Sequence, residues 1–263
     1  MSFFSDSYHL FIRWMKKLVR NPILVFFSLF QPIIFLVLFT QLFSKFGSLI
    51  GPGVSYTVFA TAGIVLQNAF SSAFQSGTSV VDDIKSGFLT KMLATPVNRS
   101  AILFGRILSD MFRVAVQTII ILALAYVLGV YPQTGVAGYV LVILTVGFFG
   151  LAWSGISLAL GLKTKSGETV FGIAGFLTFP LLFMSTALVD PTSMPSWMQT
   201  VSSYNPISFA VNAIRSLIMP PPHCIICTNV FDWSTILQAY GVIALIGVVT
   251  LGATLYLFRK VVS

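Results

Sequence analysis

Charged residues are scarce in this sequence. Only 8% of its 263 residues are charged, whereas 56% are hydrophobic and 25 are phenylalanine. That balance excludes an ordinary soluble domain, in which about a quarter of the residues carry charge. In lipid each backbone amide must find its partner within its own segment, so long apolar runs cross a membrane as helices. We therefore predict an all-α integral membrane protein, with residues 1–263 forming a single domain.

Histidine and cysteine are equally scarce, with two of each in the chain. The segment HCIIC at 223–227 lacks the further ligands that a structural zinc site requires, so we expect no metal and no catalytic residue. Cys224 and Cys227 either form a disulfide on an oxidising outer face or stay as free thiols. The sequence also lacks the GxxxxGK[ST] motif that holds nucleotide phosphates, so we expect no cofactor in this chain.

Six apolar stretches are long enough to be transmembrane helices. They cover residues 23–43, 56–80, 107–130, 136–162, 169–189 and 236–258. Twelve of the 15 basic residues lie in the tails and connectors on one side of these spans. This asymmetry and the even number of spans predict a multi-pass protein of the plasma or inner membrane with both termini in the cytoplasm. The asymmetry also accounts for the net charge of +8, so nucleic acid is not expected as a partner.

The N-terminal segment 1–22 is amphipathic. Apolar residues recur at helical spacing on one face and basic residues on the opposite face: Phe11, Trp14, Met15 and Leu18 against Arg13, Lys16, Lys17 and Arg20. This pattern predicts a helix that lies in the membrane interface, with its cations among anionic lipid headgroups. The dipeptide NP at 21–22 would then turn the chain into the first span.

The connector 190–235 is too long and too apolar for an ordinary loop. Within it, Asn205 is a predicted helix cap, and Pro206 suits the first turn of the helix that follows. That helix carries an apolar stripe formed by Ile207, Val211, Ile214 and Ile218. With about 14 residues before the PPP breaker, it is too short to cross a bilayer. We predict a re-entrant helical hairpin on the outer side, with packing at a solvent-exposed surface as the alternative.

Polar residues at the predicted spans are candidates for a pathway or a gate. They are Gln67, Ser71, Gln75, Arg106, Asp110, Arg113 and Gln117. The first three share one helical face, which predicts either a stripe along a pathway or hydrogen bonds to a partner helix. The Arg–Asp–Arg set lies at the cytoplasmic start of the third span, either as an interfacial anchor or as part of an inner gate. A cap at Asn98 or Ser100 is predicted for the helix that enters this span.

The charged connector 81–106 is predicted to contain a short amphipathic helix over 82–94. Its apolar residues recur at i, i+4 and i+8, and Lys85 and Lys91 take the polar side. The dipeptide TP at 95–96 ends it, because proline disfavours helical backbone at the preceding residue. A short helix held between two spans by tight turns is suited to transmit a movement from a cytoplasmic partner to the spans.

Two stretches of the chain resemble a known family. DDIKSGFLTKMLATPVNRSAILFGRILSD, at 82–110, resembles the cytoplasmic signature of ABC-2 type permeases and is most similar to daunorubicin-resistance-type multidrug permease subunits. YNPISFAVNAIRSLI, at 204–218, resembles the second familiar stretch of that family. The two stretches occur in the family's order, and with the six spans the resemblance covers essentially the whole chain.

The resemblance implies that the helix over 82–94 is a coupling helix, which docks on a separate cytoplasmic ATPase. The residues of this contact and of the turn that shapes it are Lys85, Gly87, Phe88, Leu89, Lys91, Met92, Leu93, Thr95, Pro96 and Arg99. We expect the surface of Phe88, Leu89 and Met92 to be the part that the ATPase contacts. By the same resemblance, two copies of the ATPase bind ATP and Mg, and a second permease chain, identical or related, completes the transporter among membrane lipids.

The function implied by the resemblance is that of the permease subunit of an ATP-binding cassette exporter. Because the spans carry few charges, we expect a hydrophobic or amphipathic drug or lipid as cargo. Export of a lipid-linked polysaccharide is the alternative. An ion-coupled carrier would need intramembrane carboxylates or broken central helices, and a membrane-embedded enzyme would need convergent acid or histidine side chains, for which the spans offer only Asp110.

Overall fold

The computed structural model describes residues 3–43, 55–95, 97–132, 134–219 and 232–262. Every regular element within these ranges is helical, which confirms the predicted all-α architecture. The α-helices are α1 (Phe3–Val19), α2 (Pro22–Leu42), α3 (Tyr56–Lys85), α4 (Phe88–Leu93), α5 (Arg99–Val127), α6 (Gly135–Thr164), α7 (Gly167–Phe183), α8 (Ser196–Tyr204), α9 (Pro206–Ile218) and α10 (Trp233–Val262). A 3₁₀ turn, Pro191–Ser193, precedes α8.

Five helices of the described chain are long and apolar enough to cross a membrane, namely α2, α3, α5, α6 and α10. The fifth predicted span, 169–189, is shorter than expected, because α7 has 17 residues and ends at Phe183. The hydroxyl of Ser185 donates to the carbonyl of Leu182 at 2.6 Å and accepts from the N–H of Ala187 at 3.2 Å. Such local bonds from serine compete with the continuation of a helix.

The helices α2, α3, α5, α6, α7 and α10 alternate in direction between two ends of the bundle. At one end, which we call the terminal end, Leu10 of α1 and Phe258 of α10 share a buried cluster with Leu162 of α6. At the other, the hairpin end, Arg215 of α9 donates to the carbonyl of Ala187 after α7 at 3.0 Å. Both α1 and the last turns of α10 therefore lie at the same end, and α7 connects the two ends despite its length.

Three helices, α3, α6 and α10, pack with almost no space between their backbones, and we call them the core block. A Cβ on Gly77 of α3 would overlap the carbonyl oxygen of Ser157, and a Cβ on Gly161 would lie 2.6 Å from the carbonyl oxygen of Gly77. Between α6 and α10, Thr254 donates to the carbonyl of Gly155 at 2.7 Å. Small residues at such contacts let helices approach closely and so stabilise their association in a bilayer.

The helix α1 packs along α5 at the terminal end. Gly105 of α5 faces α1 so closely that a Cβ there would lie 2.9 Å from the carbonyl oxygen of Ser7. The hydroxyl of Ser109 donates to the carbonyl of Phe11 at 3.4 Å. The amphipathic N-terminal segment thus forms the predicted helix, whereas its place in a membrane interface stays a prediction.

The connector 190–235 forms α8 and α9 within its described part. Asn205 caps α9 as predicted, because its side-chain oxygen accepts the N–H of Ile207 at 3.0 Å. The helix α9 is buried against α3, α6 and α10, which argues against packing at a solvent-exposed surface. Cys224 and Cys227 lie outside the described residues, so their redox state stays open.

Candidate functional site

The helix predicted over 82–94 is divided in two. The helix α3 continues to Lys85, and α4 begins only at Phe88. Between them Gly87 has a φ of 65°, in the left-handed region, and a Cβ at this position would meet no atom within 4 Å. The prediction of one continuous helix is wrong, because a left-handed residue ends a helix and glycine adopts that conformation without steric strain.

The short helix α4 has two unlike faces. Leu89 and Met92 are buried in the same cluster as Leu10 of α1. Lys91, together with Lys85 at the end of α3, is exposed. The buried side chains therefore attach α4 to the bundle, and the exposed residues lie on its outer face. This corrects the expectation that Leu89 and Met92 form the contact surface.

The first residue of α4 is held by α1. The guanidinium carbon of Arg13 lies 3.4 Å from the ring centroid of Phe88, in a cation–π contact. Burial lowers the pKa of Arg13, and the nearby carboxylate of Asp83 acts in the opposite direction. After α4, the hydroxyl of Thr95 donates to the carbonyl of Met92 at 2.6 Å and so tightens the turn that follows.

The rest of the predicted contact set lies between the last residue of α4 and the first residue of α5. Leu93 packs half-buried against the terminal-end cluster. Asn98, rather than Ser100, caps α5, because its side-chain oxygen accepts the N–H of Ser100 at 3.0 Å. Pro96 lies outside the described residues. Arg99 is the first residue of α5, and its side chain is not among those described.

Five charged side chains meet where α1, α3 and α5 come together, and we call them the ion cluster: Lys17, Asp83, Arg106, Asp110 and Arg113. Asp110 pairs with Arg106 Nε at 3.4 Å and with Arg113 Nη2 at 3.3 Å. Asp83 pairs with Lys17 Nζ at 3.2 Å and with Arg106 Nη1 at 3.7 Å. All of these side chains except Lys17 are less than a tenth exposed. The Arg–Asp–Arg set is thus a buried network of ion pairs, and its role as an interfacial anchor or as part of an inner gate stays a prediction.

The polar face of α3 that meets α5 was not predicted. The side-chain oxygen of Gln117 accepts from Ser72 at 2.6 Å and from Asn68 at 3.4 Å. Nearer the terminal end, the hydroxyl of Ser76 donates to the carboxylate of Asp110. This stripe is shifted by one residue from the predicted one. The sequence contained its signal, because both sets of residues share the same i, i+4, i+8 spacing.

A groove of about 370 Å³ opens between α2, α3 and α7, and we call it the groove. The predicted stripe of Gln67, Ser71 and Gln75 forms part of its α3 wall, and Gln31 forms part of its α2 wall. Its aromatic lining consists of Phe35, Phe39, Phe74, Phe171, Phe179 and Phe183. The lining residues that the structure describes carry no charge. Amide and hydroxyl groups beside aromatic rings can bind a molecule that is partly apolar and partly polar.

Gln75 connects the groove with the ion cluster. Its side-chain oxygen accepts from Arg113 Nη1 at 3.4 Å. Gln75 and Thr78 also line a second cavity of about 200 Å³ between α1, α3 and α5, which we call the inner cavity. The structure therefore brings the predicted stripe and the predicted Arg–Asp–Arg set within one hydrogen bond of each other.

Comparison with known proteins gives consistent relatives over most of the chain. The sequence model of the family described as ABC-2 type transporter matches residues 7–219. The daunorubicin resistance ABC transporter permease protein DrrB1 of Streptomyces coeruleorubidus is 33% identical over 206 residues, which cover 78% of this chain and 72% of that protein. The putative transport permease ycf38 of Cyanophora paradoxa is 31% identical over 220 residues, or 82% of this chain and 74% of that protein.

A more distant relative has a similar name. The probable doxorubicin resistance ABC transporter permease protein DrrC of Mycobacterium tuberculosis is 27% identical over 217 residues, which cover 80% of this chain and 75% of that protein. The family match begins within α1 and extends just past the end of α9, so it includes α4, the ion cluster and the groove.

Proposed function

The chain belongs to the ABC-2 type transporter family and is a membrane permease subunit of an ABC exporter, and on that premise we propose that it moves a hydrophobic or amphipathic drug or lipid out of the cell. The observation that carries this proposal is the groove between α2, α3 and α7. Its uncharged lining suits a cargo with little charge, and its aromatic rings and amides suit an apolar body with polar groups. Two relatives are named for resistance to daunorubicin and doxorubicin, which supports a drug as cargo.

A second permease chain, identical or related, would complete the groove. The groove is open on one side, and the helices that flank it expose aromatic side chains. Those of α2 are Phe26, Phe27 and Phe30, and those of α7 are Phe171, Phe176, Phe179 and Phe183. Packing these faces against another permease chain would replace contacts with lipid by contacts between helices and would enclose the cargo between the two chains.

A separate ATPase supplies the energy in this proposal. Two copies of it bind ATP and Mg, and the permease chain itself hydrolyses nothing. Exposed residues form the contact with that partner, namely Lys85 at the end of α3 and Thr90 and Lys91 on the outer face of α4. The relatives support this assignment, because they are named as permease proteins of ABC transporters, a class that works with an ATPase partner.

The attachment of α4 to the bundle gives the ATPase a way to move the permease. Leu89 and Met92 pack among side chains from α1, α5, α6 and α10, so a displacement of α4 is transmitted to those helices. Arg113 of α5 donates to the carbonyl of Ser72 in α3 at 2.6 Å. Movement of α5 would therefore reach the helix that forms one wall of the groove.

The proposed orientation places the terminal end in the cytoplasm. Both α1 and the last turns of α10 lie at that end, and so do the basic residues of the connectors. Positively charged connectors are retained on the cytoplasmic side during insertion. With this orientation α4 faces the ATPase, and the hairpin end faces the outside of the plasma or inner membrane.

Transport by inside-out vesicles tests the proposal. We expect ATP-dependent uptake of a fluorescent amphipathic drug when the permease is co-expressed with the ATPase that co-purifies with it, and none when either chain is omitted. Ser71→Trp fills the groove and should abolish uptake, whereas Leu245→Trp, on the exposed face of α10, is the matched control. Uptake by the permease alone would refute the separate ATPase, and full uptake by Ser71→Trp would refute the groove as the path.

A further inference from the structure

One polar face of α3 extends from the groove to the terminal end. Residues at intervals of four, four, three and four positions form it, and we call them the long stripe: Gln67, Ser71, Gln75, Thr78 and Asp82. This spacing keeps them on one side of an α-helix over about 22 Å. The first four line the groove, and the last three line the inner cavity. The two open spaces therefore follow each other along one face of α3.

The part of the long stripe within the groove does not hold helices together. The side chains of Gln67 and Ser71 are half-buried and make no hydrogen bond to any described residue. The neighbouring face of α3 differs, because Asn68 and Ser72 donate to Gln117 of α5. Polar side chains within a span are costly in lipid, and they usually face a partner helix or a pathway. Since no described helix bonds to them, Gln67 and Ser71 indicate a pathway.

Gln75 and Thr78 form the wall that the groove and the inner cavity share. Gln75 is held there by Arg113, whose Nη1 donates to its side-chain oxygen at 3.4 Å. This bond is weak, because it is longer than the usual N–H···O distance. The guanidinium of Arg113 also donates to the carbonyl of Ser72 at 2.6 Å and pairs with Asp110, so it keeps its place without Gln75. The side chain of Gln75 can therefore turn away while α5 stays in position.

The first turns of α2 connect the same two spaces. Asn21, directly before α2, lines the inner cavity, whereas Gln31 of α2 lines the groove. Between them Ser28 accepts a hydrogen bond from Gln117 Nε2 of α5 at 2.8 Å. The helix α2 therefore extends from one open space to the other and forms a second side of a route between them. The side chain of Asp82, which lines the inner cavity, is exposed, so this route opens to the surface at the terminal end.

We propose that cargo enters the groove from the terminal end, through the inner cavity, and that Gln75 and Thr78 form the gate between the two. The volume of the inner cavity, about 200 Å³, is below the roughly 300 Å³ of the smallest usual drug pockets, so cargo passes it one end first. The long stripe offers amides and hydroxyls along one wall, and phenylalanines of α2 and α7 line the groove beyond it. This route fits an elongated amphipathic molecule with its polar groups along one side. The inference rests on the proposed function and adds an entry route to it.

The accessibility of introduced cysteines tests the route, in inside-out vesicles that contain the full-length permease with its ATPase. Cys224→Ser and Cys227→Ser first remove the native thiols, and the membrane-impermeant reagent trimethylammonium-ethyl methanethiosulfonate is added outside the vesicles. We expect Ser79→Cys, in the inner cavity, to react quickly, and Ser71→Cys, in the groove behind the gate, to react more slowly. No reaction of Ser79→Cys would overturn the inference, because the inner cavity would then be closed to the cytoplasm.

Changes at the gate should alter the reaction in the groove alone. Gln75→Ala removes the side chain that closes the gate, so Ser71→Cys should react about fivefold faster, as the loss of one hydrogen bond allows. Gln67→Ala is the matched control, because it shortens the same type of side chain beyond Ser71, and it should leave the rate unchanged. Thr78→Trp fills the gate and should suppress the reaction of Ser71→Cys, while Ser79→Cys still reacts. Equal rates with and without the gate changes would overturn the inference, since the reagent would then reach the groove by another way.

Uptake of a fluorescent amphipathic drug connects the route with export. Thr78→Trp should lower ATP-dependent uptake as strongly as it lowers the reaction of Ser71→Cys, and retained reaction of Ser79→Cys shows that the variant is folded. Normal uptake by Thr78→Trp would overturn the route for cargo and would leave the groove and the separate ATPase as proposed. The cysteine reactions are measured without cargo or ATP, so a failure of the route is distinguishable from a failure of the proposed export function.

Discussion

The side-chain amide of Asn205 donates to the carbonyl of Leu181, near the end of α7, at 2.7 Å and to that of Met184 at 3.1 Å. Its oxygen accepts the N–H of Ile207 at the start of α9. One side chain therefore caps the end of one helix and the beginning of another. Because helix ends leave carbonyl and N–H groups that need such partners, Asn205 fixes both where α7 stops and how the chain returns.

Asn205→Asp should separate the two caps. The carboxylate keeps the acceptor for Ile207 but loses both donors, so the carbonyls of Leu181 and Met184 lose their partner. We expect a loss of about 1–3 kcal/mol in the free energy of unfolding, and a larger loss for Asn205→Ala, which removes both caps. Thermal unfolding in detergent measures the effect, with Ser203→Ala, at an exposed site in α8, as the control. A melting temperature equal to that of the unchanged protein would contradict the capping of α7.

Substitutions at Gly87 test the left-handed turn between α3 and α4. Since nothing crowds this position, Gly87→Ala adds only the backbone strain of a left-handed alanine, about 1 kcal/mol, and export should fall modestly. Gly87→Pro cannot adopt a φ of 65° and removes the N–H that bonds to the carbonyl of Ile84 at 3.0 Å. We expect it to insert into the membrane normally but to lose export.

Vesicle transport and the amount of permease in the membrane fraction measure these effects. Gly241→Ala, at an uncrowded helical position in α10, is the control for loss of a glycine and should transport normally. Retained export by the proline variant would show that the turn at Gly87 has no part in coupling.

Substitutions on the buried face of α4 should lower stability, whereas substitutions on its exposed face should weaken binding of the ATPase. Leu89→Ala removes a buried side chain, and we expect a loss of about 2–5 kcal/mol in stability. Lys91→Glu changes an exposed residue, so stability should stay within about 0.5 kcal/mol, while co-purification of the ATPase should fall. Melting temperature and pull-down of the ATPase are measured for both variants. The reverse pattern would place the contact on the buried face.

Removing the carboxylate of Asp110 alone should destabilise the fold more than removing it together with the charge of Arg113. Asp110→Asn leaves Arg106 and Arg113 buried without their common partner, which costs about 3–5 kcal/mol. Arg113→Gln added to Asp110→Asn removes one unbalanced cation and should restore part of that stability. A double-mutant cycle by thermal unfolding measures the coupling. Strictly additive losses would show that the two side chains do not interact.

Most of the fold could be predicted from local patterns. The start of α3 at Tyr56 and the caps at Asn98 and Asn205 depend on residues within a few positions of each other. The end of α7 could not be predicted in this way, because part of its cap comes from Asn205, 24 residues after Leu181. A contact between residues so far apart in the chain is set by tertiary packing and leaves no periodic pattern in the sequence.

The candidate site could be predicted only in part. The stripe of Gln67, Ser71 and Gln75 lines the groove, and its role in a pathway stays a prediction. The neighbouring stripe, which bonds to α5, has the same spacing. Periodicity identifies a helical face without identifying what that face meets. The burial of Leu89 and the pairing of Asp83 with Arg106 depend on how α1 and α5 cross α3, and so they emerged only with the structure.

Close backbone contacts join α3 to α6 at Gly77 and α1 to α5 at Gly105. Neither pair of surfaces can slide without collision. Between α3 and α5, in contrast, Arg113 and Arg106 donate to the carbonyls of Ser72 and Ser76, and such bonds can pass from one carbonyl to the next along a helix. In the proposed transporter, a displacement of α4 by the ATPase would then reach the groove as a shear between α5 and α3.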